Sequence, residues 1–68
     1  MSNPTHKKVE VVGTSPTSFS EAADNAIKKA AETLHNLEWF EVGEMSGRIR
    51  DGKVAQYQVT MKIGFRLK

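Results

Sequence analysis

Polar and apolar residues alternate near the start of the chain and again in its second half, and between them the apolar residues follow a helical period. In residues 7–12, Val9 and Val11 share one face while Glu10 and Val12 take the other, which predicts a short strand. The Gly-Thr-Ser-Pro-Thr cluster at 13–17 predicts a turn, with Pro16 biasing Ser15 away from helical backbone. Ser18 and Glu21 have the spacing of a capping box: the hydroxyl accepts from a free N–H and the carboxylate reaches back to the cap. Beyond it, Phe19, Ala22, Ala23, Ala26, Ile27, Ala30, Ala31, Leu34 and Leu37 form one stripe, which predicts a helix over 19–37. The stripe is mostly alanine, so its axis can come close to a sheet. It spans under three heptads, too few for a coiled coil.

Two long strand-like segments follow, on either side of Asp51-Gly52, a pair suited to a two-residue type I′ hairpin. If Arg50 and Lys53 flank the turn, paired residue numbers sum to 103. That register sets Val42 against Met61 and Phe40 against Ile63, and it places Glu41 opposite Lys62 as a favourable cross-strand charge pair. Tyr57, Val59, Met61, Ile63, Phe65 and Leu67, with Phe40 and Val42, then make the face that the helix covers. The opposite face carries Trp39, Glu41, Gly43, Met45, Gln56, Gln58, Thr60, Lys62, Gly64 and Arg66. The expected fold class is α+β: a β-α-β-β chain whose three-stranded antiparallel sheet curls around one helix.

Composition adds one strong expectation. At 68 residues the chain allows a single domain over 1–68, and a core this small is marginal. Small scaffolds compensate with disulfides, metals or oligomerisation. There is no cysteine, and the two histidines, His6 and His35, make a structural zinc site a poor choice; no metal is expected. A homo-oligomer is the remaining device. The net charge of +2, with basic and acidic residues interspersed, does not point to nucleic acid. No apolar stretch is long enough to span a membrane and no signal-peptide pattern opens the chain, so no membrane partner and a cytoplasmic location are expected. Residues 1–6 read as a frayed arm.

The informative anomaly is Trp39, an indole on the polar side of its strand, opposite a glycine that cannot cover it. Three accounts are open: contact with a second subunit, a platform on which a flat ligand stacks, or a tryptophan folded back onto its own helix. Gln58 shares that face, and its amide offers both donor and acceptor to an imide or pyrimidine-like edge; the alternative is a solvated strand glutamine. Gly64 is six residues from Gln58, roughly 20 Å at about 3.3 Å per residue, so one small ligand touching both residues needs a bulge or a site between subunits. No nucleophile and base, carboxylate pair or phosphate loop is evident, and no enzymatic activity is expected.

The residues that carry a family likeness are Val-Glu-Val-Val-Gly-Thr-Ser at 9–15, the alanine-rich helix, Leu-Glu-Trp-Phe-Glu-Val at 37–42, Tyr-Gln-Val at 57–59 and Gly-Phe-Arg-Leu at 64–67. With these in order, the chain resembles the dodecins, small flavin-binding proteins. The resemblance implies a hollow homododecamer of trimers with a flavin (FMN, riboflavin or lumichrome) bound between subunits for storage and photoprotective quenching. It implies that Trp39 stacks on the isoalloxazine, that Gln58 bonds its pyrimidine edge, and that Arg66 meets an FMN phosphate or is simply a solvated terminal arginine. Some relatives carry an arginine at the position of Ser46, and some bind coenzyme A, for which Lys28 or Lys29 are the basic residues available. Two rival readings stand beside it: a structural homo-oligomer anchored by Trp39, and a small flavin-dependent oxidoreductase.

Overall fold

The structure, a computed structural model, describes residues 3–68. Strand β1 (His6–Ser15) leads into helix α1 (Phe19–Ala30), and β2 (Leu37–Arg50) and β3 (Lys53–Arg66) form the hairpin. The sheet is antiparallel with order β1-β3-β2, so the last strand is the central one. This is the β-α-β-β architecture expected from the pattern.

The core lies where α1 crosses β1 and β3. Ala22 and Ala26 pack against Val59, Met61 and Ile63, with Val9, Val11, Phe19 and Ile27 at the margin. Alanine is needed because the approach is close. A Cβ on Gly13 would overlap the Ala22 carbonyl oxygen and sit 2.8 Å from the Ala26 methyl. Side chains of ordinary size at these positions would push the helix off the sheet.

The helix start follows half of the predicted capping box. Ser18 Oγ accepts from the Glu21 N–H at 3.0 Å, as expected. The Glu21 carboxylate, however, reaches the hydroxyl of buried Ser15 at 2.5 Å, and Ser15 Oγ in turn accepts from the N–H groups of Thr17 and Ser18. Ser15 thus stands between the carboxylate and the cap. It also ends β1, which runs three residues past the expected 7–12 and pairs Gly13, Thr14 and Ser15 with Val59, Gln58 and Tyr57.

The expected helix over 19–37 is too long. It ends at Ala30, and the N–H groups of Glu32 and Thr33 bond back three residues in tightened turns. Asn36 then takes a left-handed conformation (φ 62°), which asparagine tolerates better than most residues, and turns the chain into β2. Leu34 and Leu37 kept the helical spacing without being helical. The frayed arm is also shorter than expected: Met1 and Ser2 lie outside the described residues, Thr5 accepts from the Leu67 N–H at 2.9 Å, and His6 already belongs to β1.

The hairpin turns on Asp51 and Gly52, both with positive φ (54° and 74°), as a type I′ turn requires. The predicted register holds next to the turn and again from Trp39 to Val42, where Trp39 faces Gly64 and Glu41 faces Lys62. Between these stretches it slips by one, because Ala55 is extra on β3 and one residue of Gly43-Glu44 is extra on β2. Two bulges therefore cancel. In the slipped stretch Met45 pairs with Val59 and Ser46 with Gln58, so Met45 leaves the open face where the pattern had put it and Ser46 takes its place.

A second correction concerns cover. Phe40 and Val42 pair with buried Ile63 and Met61, on the expected face, but α1 lies over β1 and β3 and does not reach them. They are 50% and 47% exposed, and Met45 beside them is 55% exposed.

Candidate ligand-binding site

Trp39 lies near the start of β2, on the side of the sheet away from the helix. Its six-membered ring rests on Gly64, where any Cβ would overlap Cε2, Cζ2 and Cη2. The indole remains 38% exposed and packs against the sheet alone, which removes the account in which it folds onto its own helix.

All three strands hold the ring. Its Nε1–H donates to Glu41 Oε2 at 2.9 Å. Lys8 of β1, opposite Gly64 in the ladder, reaches across the missing side chain to both Glu41 oxygens at 3.2 and 3.3 Å. The indole hydrogen bond, then Lys8, hold the Glu41 carboxyl below its usual pKa. Lys62 is opposite Glu41 as expected, but the cation in bonding contact is Lys8. On the other flank the His6 ring meets the indole at 5.2 Å between centroids and 66° between planes. His6 Nε2 is 2.7 Å from Glu38 Oε1, and Arg66 Nε is 4.0 Å from Glu38 Oε2.

Of the three residues singled out in the sequence, Trp39 and Arg66 are thus neighbours through Glu38, whereas Gln58 is not in their group. The β1–β3 ladder runs from Ser15 to His6 without a bulge, so Gln58 stays six residues from Gly64, roughly 20 Å away. Within one chain the two candidate contacts cannot meet on a small ligand. Gln58 has its own neighbour: the Ser46 hydroxyl donates to Gln58 Oε1 at 3.3 Å, and Arg48 lies two pairs further on, opposite Gln56.

None of His6, Lys8, Glu38 and Glu41 was read from the sequence as a residue of this site. Their association follows from strand order: with β3 central, a residue on β1 and one on β2 meet above a glycine between them. Hydropathy along the chain carries no signal of that order.

The arrangement offers a flat aromatic surface with fixed charges at its rim, suited to stacking a planar heterocycle. Among the described residues no group of three or more His, Cys, Asp or Glu could hold a metal ion, and no helix is long and apolar enough to cross a membrane.

Comparison with known proteins decides the family. A family model described as Dodecin matches residues 5–68. The chain belongs to the dodecin family. It is 46% identical over 63 residues to the dodecin of Thermus thermophilus, covering 93% of this chain and 91% of that protein. The solved dodecin from Streptomyces davaonensis superposes with a TM-score of 0.95 at 52% identity, covering 98% of each chain. A more distant structure, the calcium dodecin of Mycobacterium tuberculosis, superposes at 0.82 with 26% identity, covering 94% of this chain and 91% of that one. That protein is described as calcium-chelating, with a novel calcium-binding site.

Proposed function

We propose that residues 1–68 form one flavin-binding domain, which sequesters FMN, riboflavin or lumichrome without enzymatic turnover, between copies of itself. The observation that carries this reading is the indole laid flat on Gly64, 38% exposed on the helix-free face. A bound isoalloxazine supplies visible absorption and an excited state that an electron-rich indole quenches. Trp39 is the platform, and the Gln58 amide is the partner for the pyrimidine edge. Arg66 is the proposed partner for a phosphate on the ribityl chain, a reading supported by its half-exposed side chain beside Glu38. Because Trp39 and Gln58 stand far apart in one chain, the complete pocket takes Trp39 from one copy and Gln58 from another. The proposed assembly is the homododecamer of trimers that dodecin membership suggests.

The same geometry speaks against the structural rival. An anchor for assembly is already available on the opposite face, where Phe40, Val42 and Met45 are uncovered, so oligomerisation does not call on Trp39. The coenzyme A reading gains no support from Lys28 and Lys29, which pair with Asp24 at 3.0 Å and Glu32 at 3.4 Å on the exposed side of α1.

Trp39→Ala tests the proposal. Riboflavin titration is expected to show a loss of roughly 1 to 3 kcal/mol, the scale of a flat heterocycle stacked on an aromatic ring. The residual bound flavin should regain fluorescence while the sizing profile stays that of the parent. Unchanged affinity and quenching would remove the platform role; dissociation into smaller species would favour the structural rival. The visible spectrum of the purified protein, followed by chromatography of any released chromophore, identifies the ligand.

A further inference from the structure

The indole is framed by polar and charged groups from all three strands, and one of them is an imidazole. His6 presents its ring to Trp39 at 5.2 Å and its Nε2 to Glu38 at 2.7 Å, with its side chain only 28% exposed. The groups facing it are Glu38 from β2 and Arg66 from β3, which stands opposite His6 in the ladder and 4.0 Å from the second Glu38 oxygen. One step along lie Lys8, Glu41 and Lys62, of which Lys8 and Glu41 close the other side of the ring.

We infer that His6 is a positioning residue for Trp39, and that its protonation makes the posture of the indole, and hence the stacking of a flat ligand on it, depend on pH. An imidazole is the side chain that ordinarily gains charge between about pH 5 and 8. When neutral it donates to Glu38 in only one of its two tautomers. When charged it is held by Glu38 as an ion pair with a charge-assisted hydrogen bond, the stronger contact, and the ring is fixed beside the indole. The opposite flank does not change in that window, because Glu41 is kept ionised by the indole N–H and Lys8. Glu38 therefore joins β1 to β2 more firmly on the acid side, and the platform is better ordered there. Only the last step, ligand stacking, rests on the flavin proposal.

The chain has a single tryptophan, so indole emission, excited beyond the absorption of Tyr57, reports Trp39 alone. In the ligand-free protein, emission followed from about pH 5 to about pH 8 is expected to show one step. The step should vanish in His6→Phe, which keeps an aromatic edge without a titrating nitrogen, and in His6→Gln, which keeps a polar one. It should persist in His35→Gln, which removes the only other histidine. Riboflavin affinity should tighten toward acid by about two- to five-fold in the parent, the scale of a partly exposed ion pair, and stay flat in both His6 variants. An emission profile identical in parent and His6 variants overturns the inference, as does a step lost only with His35. A step unaccompanied by any change in affinity overturns its link to stacking. If riboflavin binds the parent at no pH while the step behaves as expected, the flavin proposal falls and the positioning of Trp39 by His6 stands.

Discussion

β1 and β2 flank the same central strand, yet the helix shelters one of them and leaves the other bare. On β1 the inward residues Val9, Val11, Gly13 and Ser15 pass from half-buried to buried. On β2 every residue after Leu37 is exposed, although Phe40, Val42, Met45 and Ile49 are as apolar as anything in the core. Length explains the contrast. A helix of 12 residues spans about 18 Å, whereas a strand of 14 spans about 46 Å. One such helix covers two strands along part of their length, and the hairpin runs on beyond it in a protomer 57 × 20 × 13 Å in extent. Apolar character thus closes the core on one edge and stays uncovered on the other.

The sharpest way to break the comparison is at its covered half. Met61 is fully buried between α1 and the sheet, and Met61→Ala is expected to cost about 2 to 5 kcal/mol in urea unfolding. Against the roughly 3 to 10 kcal/mol expected for a chain of this size, that is enough to unfold much of the population. On the bare half a charge should act differently. Phe40→Asp leaves the core intact, so circular dichroism should stay near that of the parent while sizing chromatography shifts to smaller species. A parent-like elution profile would mean that this strip is not the assembly surface.

Smaller effects separate the two faces of β3. Gln58→Ala removes one or two hydrogen bonds to the proposed ligand and should weaken riboflavin binding by about 1 to 2 kcal/mol without altering assembly. Equal affinity in parent and variant would retire that contact. The smallest effect is electrostatic. Glu41 has its pKa depressed in the folded protein, so its contacts stabilise the fold above the ordinary carboxylate range and are lost as pH falls through the depressed value. Glu41→Gln should therefore lower the melting temperature slightly at neutral pH. The gap between variant and parent should close in strong acid; a gap that widens there would reverse the assignment.

Much of the architecture was legible because local rules and pairing rules agreed. Asp51-Gly52 demanded a type I′ turn, and a single register then matched apolar with apolar and Glu41 with Lys62. The compensating bulges were not legible. An extra residue on each strand restores the count at both ends, so Trp39 still meets Gly64 while Met45 and Ser46 exchange faces between them. The helix end was missed for a related reason: Leu34 and Leu37 satisfy a helical period, but Leu37 is required by β2 and the left-handed Asn36 stops the helix before it.

For the site, the residue types along the chain identified the indole, the glycine beneath it and the face they share. Those follow from alternation and register, which are properties of neighbouring positions. The strand order decided the rest. Placing β3 in the middle brings His6 and Lys8 across to Glu38 and Glu41 from more than thirty positions away. Such contacts depend on which edges a helix can cover and which glycine leaves a gap above the sheet. That is set by packing in three dimensions, and a linear pattern holds no record of it.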